Sequence, residues 1–315
     1  MSLRYDPEWI AATGPSLEVY KKEIPVHDVK TRRDLIGKLY EKFTLSVPED
    51  LDLSTLYASA PDGHEVTVYR VFKKEVPVST TPAPAVVHIH GGGYTAVSAA
   101  QALPSIVQYV SQSGVQFFTV DYRLAPENPY PIPAEDCYAA LKYVQSNAAT
   151  FNIDPTRIAI MGESAGGGLA AGVAILARER QLSPPLKKQI LLYPMLDDRT
   201  NKDTVHGLSV FSLSDIITGW SAYLGKAYGT EDVVAAAAAA RVTDVKRLPP
   251  LYLDVGQLDH FVHENLAYAS RFIAADIETE LHIYPGVIHA FQRWSLQSHV
   301  VRQATVNRMR AIRTI

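Results

Sequence analysis

The middle of the chain alternates short apolar runs, rich in β-branched and aromatic residues, with longer stretches of helical periodicity. That alternation predicts an α/β fold built on a mostly parallel sheet with crossover helices. Strands are expected at 64–72, 85–89, 115–121, 157–161, 189–193, 251–255 and 279–284. Ile158-Ala159-Ile160-Met161 and Ile190-Leu191-Leu192-Tyr193 are apolar without interruption, as strands covered on both faces are. The first run instead alternates at Val66 and Val68, which suits an antiparallel strand near an edge. Asp62-Gly63 before it reads as a turn. Helices are expected near 100–113, 134–149, 165–180, 263–275 and 298–312.

Two segments break the alternation. Residues 1–50 hold no strand pattern, although Leu35, Ile36, Leu39, Tyr40 and Phe43 recur at helical spacing. Residues 198–245 run from a polar stretch through Trp220-Ser221-Ala222-Tyr223-Leu224 to six consecutive alanines at 235–240. The alanines allow either a helix by propensity or a low-complexity surface linker. Together the two segments are expected to form a lid over the carboxyl edge of the sheet. No internal repeat is visible.

Composition narrows the field. With 315 residues, 47% of them hydrophobic, the chain can build a core without a metal or disulfide staple. Thirty Lys and Arg against 33 Asp and Glu give a net charge of −3 with both signs dispersed, so no basic footprint for nucleic acid or an anionic membrane exists. Residues 1–9 lack the apolar segment of a secretory signal. No run approaches the roughly 18 apolar residues of a membrane span; the stretch 169–177, among the longest, is interrupted by Gly172. The lone Cys137 cannot form an intrachain disulfide. A soluble, cytoplasmic protein is the expectation.

The strongest local signal is Gly162-Glu163-Ser164-Ala165-Gly166-Gly167, directly after an apolar strand and before a helix rich in Ala, Gly and Leu. A G-x-S-x-G turn in that context pushes the serine hydroxyl out on a strained backbone, with small neighbours letting strand and helix approach. A serine hydroxyl is a poor nucleophile at neutral pH and needs a base, itself oriented by an acid. His289, in Pro285-Gly286-Val287-Ile288-His289, follows the last strand at its carboxyl end and is the expected base. His282 lies within that strand and His299 within the final helix, both positions suited to packing or surface roles. Asp259 falls in the loop just beyond the 251–255 strand and is the expected acid, ahead of Glu264 one helical turn later.

An acyl-transfer nucleophile also needs donors for the tetrahedral oxyanion. His90-Gly91-Gly92-Gly93-Tyr94 follows the 85–89 strand, and its glycines can turn backbone N–H groups toward a small anion. Gly91, Gly92 and Gly93 with the N–H of Ala165 are the expected oxyanion hole. Neither phosphate-loop pattern, G-x-x-x-x-G-K-[ST] or G-x-G-x-x-G, is present. His88 and His90 lie two apart, but no third ligand accompanies them, so no zinc and no cofactor is expected.

The motifs His90-Gly91-Gly92-Gly93, Asp121-Tyr122-Arg123-Leu124-Ala125-Pro126-Glu127, Gly162 to Gly167 and Leu248-Pro249-Pro250, with Asp259 and His289, resemble the hormone-sensitive-lipase-like (bacterial family IV type) carboxylesterases of the α/β-hydrolases. The resemblance spans about residues 80 to 295. It implies an α/β-hydrolase fold with a mostly parallel eight-stranded sheet flanked by helices, a Ser164–His289–Asp259 triad, and a helical cap. The cap would combine residues 1–50 with an insertion at 198–228, the catalytic core being 51–197 and 229–315. Two departures stand out: Glu163 where family members commonly carry Asp, and His263-Glu264 where they tend to carry an acid pair. Arg123 and Glu127 are expected to fix their loop by charge-assisted hydrogen bonds rather than to act in catalysis.

The expected function is hydrolysis of small carboxylic esters through an acyl-enzyme. Acyl transfer to an alcohol, or cleavage of amides or carbamates, would use the same groups. A non-catalytic ligand-binding receptor on this fold has no need of all three side chains. Tyr94, Phe211, Trp220 and Tyr223 are candidates for a restrictive aromatic acyl pocket favouring chains of roughly acetyl to hexanoyl, each further methylene gaining only about 0.8 kcal/mol where it is buried. The end strand of the sheet could pair with a second copy in a homodimer.

Overall fold

The computed structural model describes residues 4–17, 23–74, 81–200 and 211–315. In chain order, the elements are α1 (Pro7–Leu17), α2 (Val29–Tyr40), β1 (Leu51–Ser59), β2 (Glu65–Lys73), β3 (Ala83–Ile89), α3 (Ala99–Ser113), β4 (Gln116–Asp121) and α4 (Ile132–Ser146). They continue with β5 (Ile153–Glu163), α5 (Ala165–Glu179), β6 (Lys188–Leu192), α6 (Leu213–Leu224), β7 (Leu251–Gly256), α7 (Val262–Ala274), β8 (Thr279–Tyr284) and α8 (His299–Arg313). One eight-stranded sheet has the order β1-β2-β4-β3-β5-β6-β7-β8. Only the β1–β2 and β2–β4 pairs are antiparallel. Among the described residues no helix is long and apolar enough to cross a membrane.

All seven expected strands are present. The eighth, β1, was not legible because its apolar positions slip phase, from Leu51 and Leu53 to Leu56 and Ala58, and period 2 is lost. As an edge strand it buries only Leu51 and Ala58, so little selects a clean alternation. β2 is accordingly the second strand, antiparallel and near the edge as expected. In the centre, residues 158–163 of β5 are buried without a break, so helices cover both faces there. The helix that follows, α5, is buried continuously from Ala165 to Ala177, which explains why its sequence carries no polar stripe.

The alanine run is neither a long helix nor a surface linker. It forms turns and a short 3₁₀ segment, Ala239–Arg241, with Ala236 to Ala240 buried. The Ala240 N–H donates to the Leu196 carbonyl, and Arg271 donates to the Ala240 and Val242 carbonyls. Small side chains suit a backbone held this closely against its neighbours.

Residues 1–50 divide into two pieces. α1 packs on α8, with Trp9 fully buried beside Val287, Ile288 and Phe291, and its indole N–H donates to the Phe291 carbonyl at 3.0 Å. α2 instead joins α6. The buried Arg32 donates to Asp215 (2.6 Å) and Ser214 (3.0 Å) of α6 and to the carbonyls of Ile24, Pro25 and Asp28. The next residue, Arg33, points to the sheet domain, with bonds to the Thr95 and Ala125 carbonyls and a two-pronged pair with Glu127. Glu127 thus anchors α2, while Arg123 pairs with Asp136 and Asp62. α6 starts at a capping box between Ser212 and Asp215. Residues 201–210 of the expected cap insertion lie outside the described residues.

Candidate active site

Ser164 stands between β5 and α5 with φ 55° and ψ −123°, a backbone conformation that a non-glycine residue adopts only at a cost of about 1–3 kcal/mol. The neighbouring chain holds it there. Its N–H donates to the Leu192 carbonyl at the end of β6, and its own carbonyl accepts from Gly168 and Met195. The side chain is left facing a cavity at the carboxyl ends of the strands.

Two further strand ends meet it. The Ser164 hydroxyl lies 2.9 Å from His289 Nε2, and His289 Nδ1 lies 2.7 Å from Asp259 Oδ2. The carboxylate accepts the Nδ1 proton, so Nε2 is free to accept from the hydroxyl. The other carboxylate oxygen, Oδ1, accepts the Phe261 N–H at 2.9 Å, which fixes the orientation of Asp259 in the loop after β7. The imidazole is enclosed by aromatic rings: Phe211 stacked at 5.2 Å, with Tyr193 and Phe261 edge-on at 4.9 and 5.2 Å. All three members of the hydrogen-bonded chain are buried.

Glu264 is occupied elsewhere. Its carboxylate accepts from the N–H groups of Leu196 (2.6 Å) and Asp197 (3.2 Å) and from the Thr200 hydroxyl, holding the chain that leaves β6. Burial raises its pKa from 4.5 to about 8, against the lowering effect of these donors.

The glycine loop lies directly over the elbow. A Cβ at Gly91 would fall 2.9 Å from the Glu163 carbonyl oxygen and 3.4 Å from Ser164 Cβ. Gly92 has φ +120°, and a Cβ there would fall 2.0 Å from the Ala96 carbonyl oxygen. Its own carbonyl is spent on the Thr95 and Ala96 N–H groups. His90 Nδ1–H donates to the Gly91 carbonyl at 2.8 Å, and the Tyr122 hydroxyl donates to the His90 carbonyl at 3.0 Å. Burial depresses the His90 pKa to about 4, so the ring is neutral at pH 7. The carbonyls of residues 90–92 are therefore tied down, and that of Gly91 is held by a residue whose part in the loop was not read from the sequence.

His88 has a different partner. Its Nδ1 lies 2.6 Å from the Thr119 hydroxyl and its Nε2 2.9 Å from the Glu163 carboxylate, so both ring nitrogens are engaged inside the sheet. The parallel β3–β5 register, which pairs His88 with Met161, brings Glu163 within reach two residues further on. Burial raises the Glu163 pKa, but the charge and hydrogen bond of His88, with Arg293 and Arg308 beyond, leave it below the usual carboxylate value.

The cavity at Ser164 has a volume of about 120 Å³ and is lined by Leu35, Ile36 and Leu39 of α2, with Tyr193, Phe211 and Arg293 among its other walls. Of the four aromatic pocket candidates, only Phe211 faces it. Tyr94, Trp220 and Tyr223 are fully buried against one another, with Tyr94 stacked on Tyr223 at 4.2 Å and tilted against Trp220 at 5.1 Å. They bind α6 to the chain after the glycine loop. The signal for the true wall was the helical apolar stripe of α2, which gave no indication of which surface it would cover.

Fold and site together define a hydrolase of the nucleophile-elbow type, and comparison with known proteins agrees. Residues 86–293 match the family model described as alpha/beta hydrolase fold. The chain is 32% identical over 241 residues to "Carboxylesterase NlhH" of Mycobacterium tuberculosis, covering 75% of each chain. It superposes on "Bacterial Heroin Esterase" with a TM-score of 0.90 at 33% identity, covering 98% of this chain and 97% of the other. A hyperthermophilic esterase from the archaeon Pyrobaculum calidifontis gives 0.85 at 25% identity over 99% of both chains. The chain belongs to the hormone-sensitive-lipase-like family of α/β-hydrolases, and its enzyme class is carboxylic ester hydrolase.

Proposed function

We propose that the chain hydrolyses small carboxylic esters of short acyl chain length through an acyl-enzyme on Ser164. The observation that carries this reading is the continuous hydrogen-bonded chain from Ser164 through His289 to Asp259. His289 Nε2 takes the hydroxyl proton as Ser164 Oγ attacks the ester carbonyl, and Asp259 stabilises the imidazolium that forms. The tetrahedral oxyanion is received by backbone N–H groups of the Gly91–Gly93 loop and of Ala165, whose N–H opens α5 and has no partner one turn earlier in the helix. The imidazolium then protonates the leaving alcohol. A water molecule, losing its proton to His289, attacks the acyl-enzyme, and collapse of the second tetrahedral intermediate releases the acid and restores Ser164.

The cavity supports a short acyl chain. At about 120 Å³ it is comparable to an apolar protein cavity of about 150 Å³ that holds benzene, so a group of about six heavy atoms fills it. Labelling with an organophosphate and mapping the adduct tests the nucleophile, with an adduct on Ser164 expected. Ser164→Ala should keep the fold, since one oxygen leaves a tight turn, and lose at least about 10³-fold in kcat. An adduct on another serine, or near-normal turnover by Ser164→Ala, would refute the assignment.

A further inference from the structure

Arg293 is the one arginine among the described residues that line the Ser164 cavity, in walls that are otherwise mainly apolar. It follows His289 by four residues and is partly buried, with its guanidinium 4.9 Å from the centroid of the Tyr40 ring. Among the described residues, no carboxylate lies within ion-pair distance of it. This sets it apart from Arg32, Arg33, Arg123, Arg241 and Arg308, each of which has an acidic partner.

Arg293 also lines a second cavity of about 130 Å³, behind the first, together with Glu163, Ser105, Gln108, Gln292 and Arg308. Glu163 is the acidic group common to both cavities, and it is bonded to His88. Arg308 is held by both oxygens of Asp254. The Gln292 side-chain oxygen is buried without a hydrogen-bond partner among the described residues. The cavity holding the nucleophile is therefore adjoined, at the Arg293 guanidinium, by a second cavity that carries polar side chains in a largely apolar wall. Beyond the Tyr40 hydroxyl and the charge of Glu163, a simple hydrocarbon ester would offer the Arg293 guanidinium no acceptor, at a desolvation cost for the N–H groups it covered.

We propose that Arg293 selects esters carrying a carboxylate, held by the guanidinium while the ester carbonyl sits at Ser164. This deepens, and rests on, the serine-esterase reading above. A planar guanidinium matches a carboxylate through paired N–H donors, and its weak hydration suits a partly buried site. The carboxylate can belong to either the acyl or the alcohol portion of the ester.

Two matched substrate pairs separate those cases, with an isopropyl group standing in for the carboxylate in each neutral member. The acyl pair is monomethyl glutarate and methyl 5-methylhexanoate; the alcohol pair is 4-acetoxybenzoate and 4-isopropylphenyl acetate. The quantity read is the ratio of kcat/KM for the charged over the neutral member, measured by pH-stat. In the unmodified enzyme we expect a ratio of roughly tenfold or more in one pair, the effect of a single charge-assisted hydrogen bond. It should fall as salt is added. Arg293→Gln should bring that ratio to about one, and Arg293→Lys should recover part of it. Because both members are measured on the same protein, partial misfolding of a variant cancels, and the wild-type ratio with its salt dependence stands alone if a variant does not fold. Ratios near one in both wild-type pairs, or a ratio unchanged in Arg293→Gln, would overturn the proposal while leaving the esterase reading intact. No turnover of any of the four would overturn both.

Discussion

Replacing Asp259 by Asn is the sharpest test of the acid, because the loop decides which way the amide must point. Asp259 Oδ1 accepts the Phe261 N–H at 2.9 Å, and both residues are buried. In the Asp259→Asn variant the amide oxygen should keep that bond, which turns the NH₂ group toward His289 Nδ1. Nδ1 must then act as acceptor, the ring proton moves to Nε2, and Nε2 can no longer take the Ser164 proton. The opposite amide orientation restores the tautomer but sets two donors face to face at Phe261, at a cost of about 2 kcal/mol. Only about one molecule in thirty would then be competent. Those molecules also lack the carboxylate charge that stabilises the imidazolium, a further loss of about 10- to 100-fold. The expected fall in kcat is thus about 10³-fold, with KM little changed and the thermal melt near that of the parent. Steady-state kinetics on phenyl acetate measures the loss, and the Nδ1 proton resonance by NMR reports the tautomer. Retention of more than a tenth of the parental kcat by folded Asp259→Asn would refute the argument, and Glu264→Gln proving the weaker catalyst would move the acid to Glu264.

Two other substitutions bear on parts of the site that do not touch the proton path. Gly92→Val places a branched side chain where even a Cβ falls 2.0 Å from the Ala96 carbonyl oxygen at φ +120°; it should lower kcat by about 10²-fold or more and lower the melting temperature. Activity retained at full stability would place the oxyanion donors elsewhere. Glu264→Gln should hold kcat within about tenfold, since an amide can accept from Leu196 and Asp197 and donate to Thr200. Its folded-state pKa is raised from 4.5 to about 8, so the parent loses stability as pH climbs through that interval, whereas the amide does not titrate. The stability of Glu264→Gln relative to the parent should therefore improve between pH 5 and pH 8.5 in urea melts, and a constant difference would show that the carboxylate is already ionised at pH 5.

The parts of the molecule that were legible are those whose chemistry is local. The residues around Ser164, the glycines at 91–93 and the loop carrying His289 each follow a strand that is apolar enough to be recognised on its own. Contacts made across the chain were not, apart from the Ser164, His289 and Asp259 set expected from their loop positions and the family resemblance. The His88–Glu163 pair spans 75 residues and depends on a sheet register. Tyr94, Trp220 and Tyr223 have the composition of a binding surface, and only the approach of α6 to the chain after the glycine loop turns them into buried packing. The alanines at 235–240 carry helix propensity, but the turn they make is imposed by α5, α7 and the chain after β6 around them.

The adjacent arginines of α2 give the cavity wall an unusual foundation. Arg32 ties the helix to α6 and Arg33 ties it to the sheet domain, both in the turn before Leu35, Ile36 and Leu39. The helix is a beam whose first turn is fixed to two separate supports and whose far end is held by Tyr40, packed against Ala96 and Val97 and under Arg293; the stretch that lines the cavity lies between. For enzyme engineering this separates two tasks that are usually entangled. Shortening Leu35 or Leu39 widens the chamber while the beam stays where its footings hold it, whereas altering either arginine releases one of them.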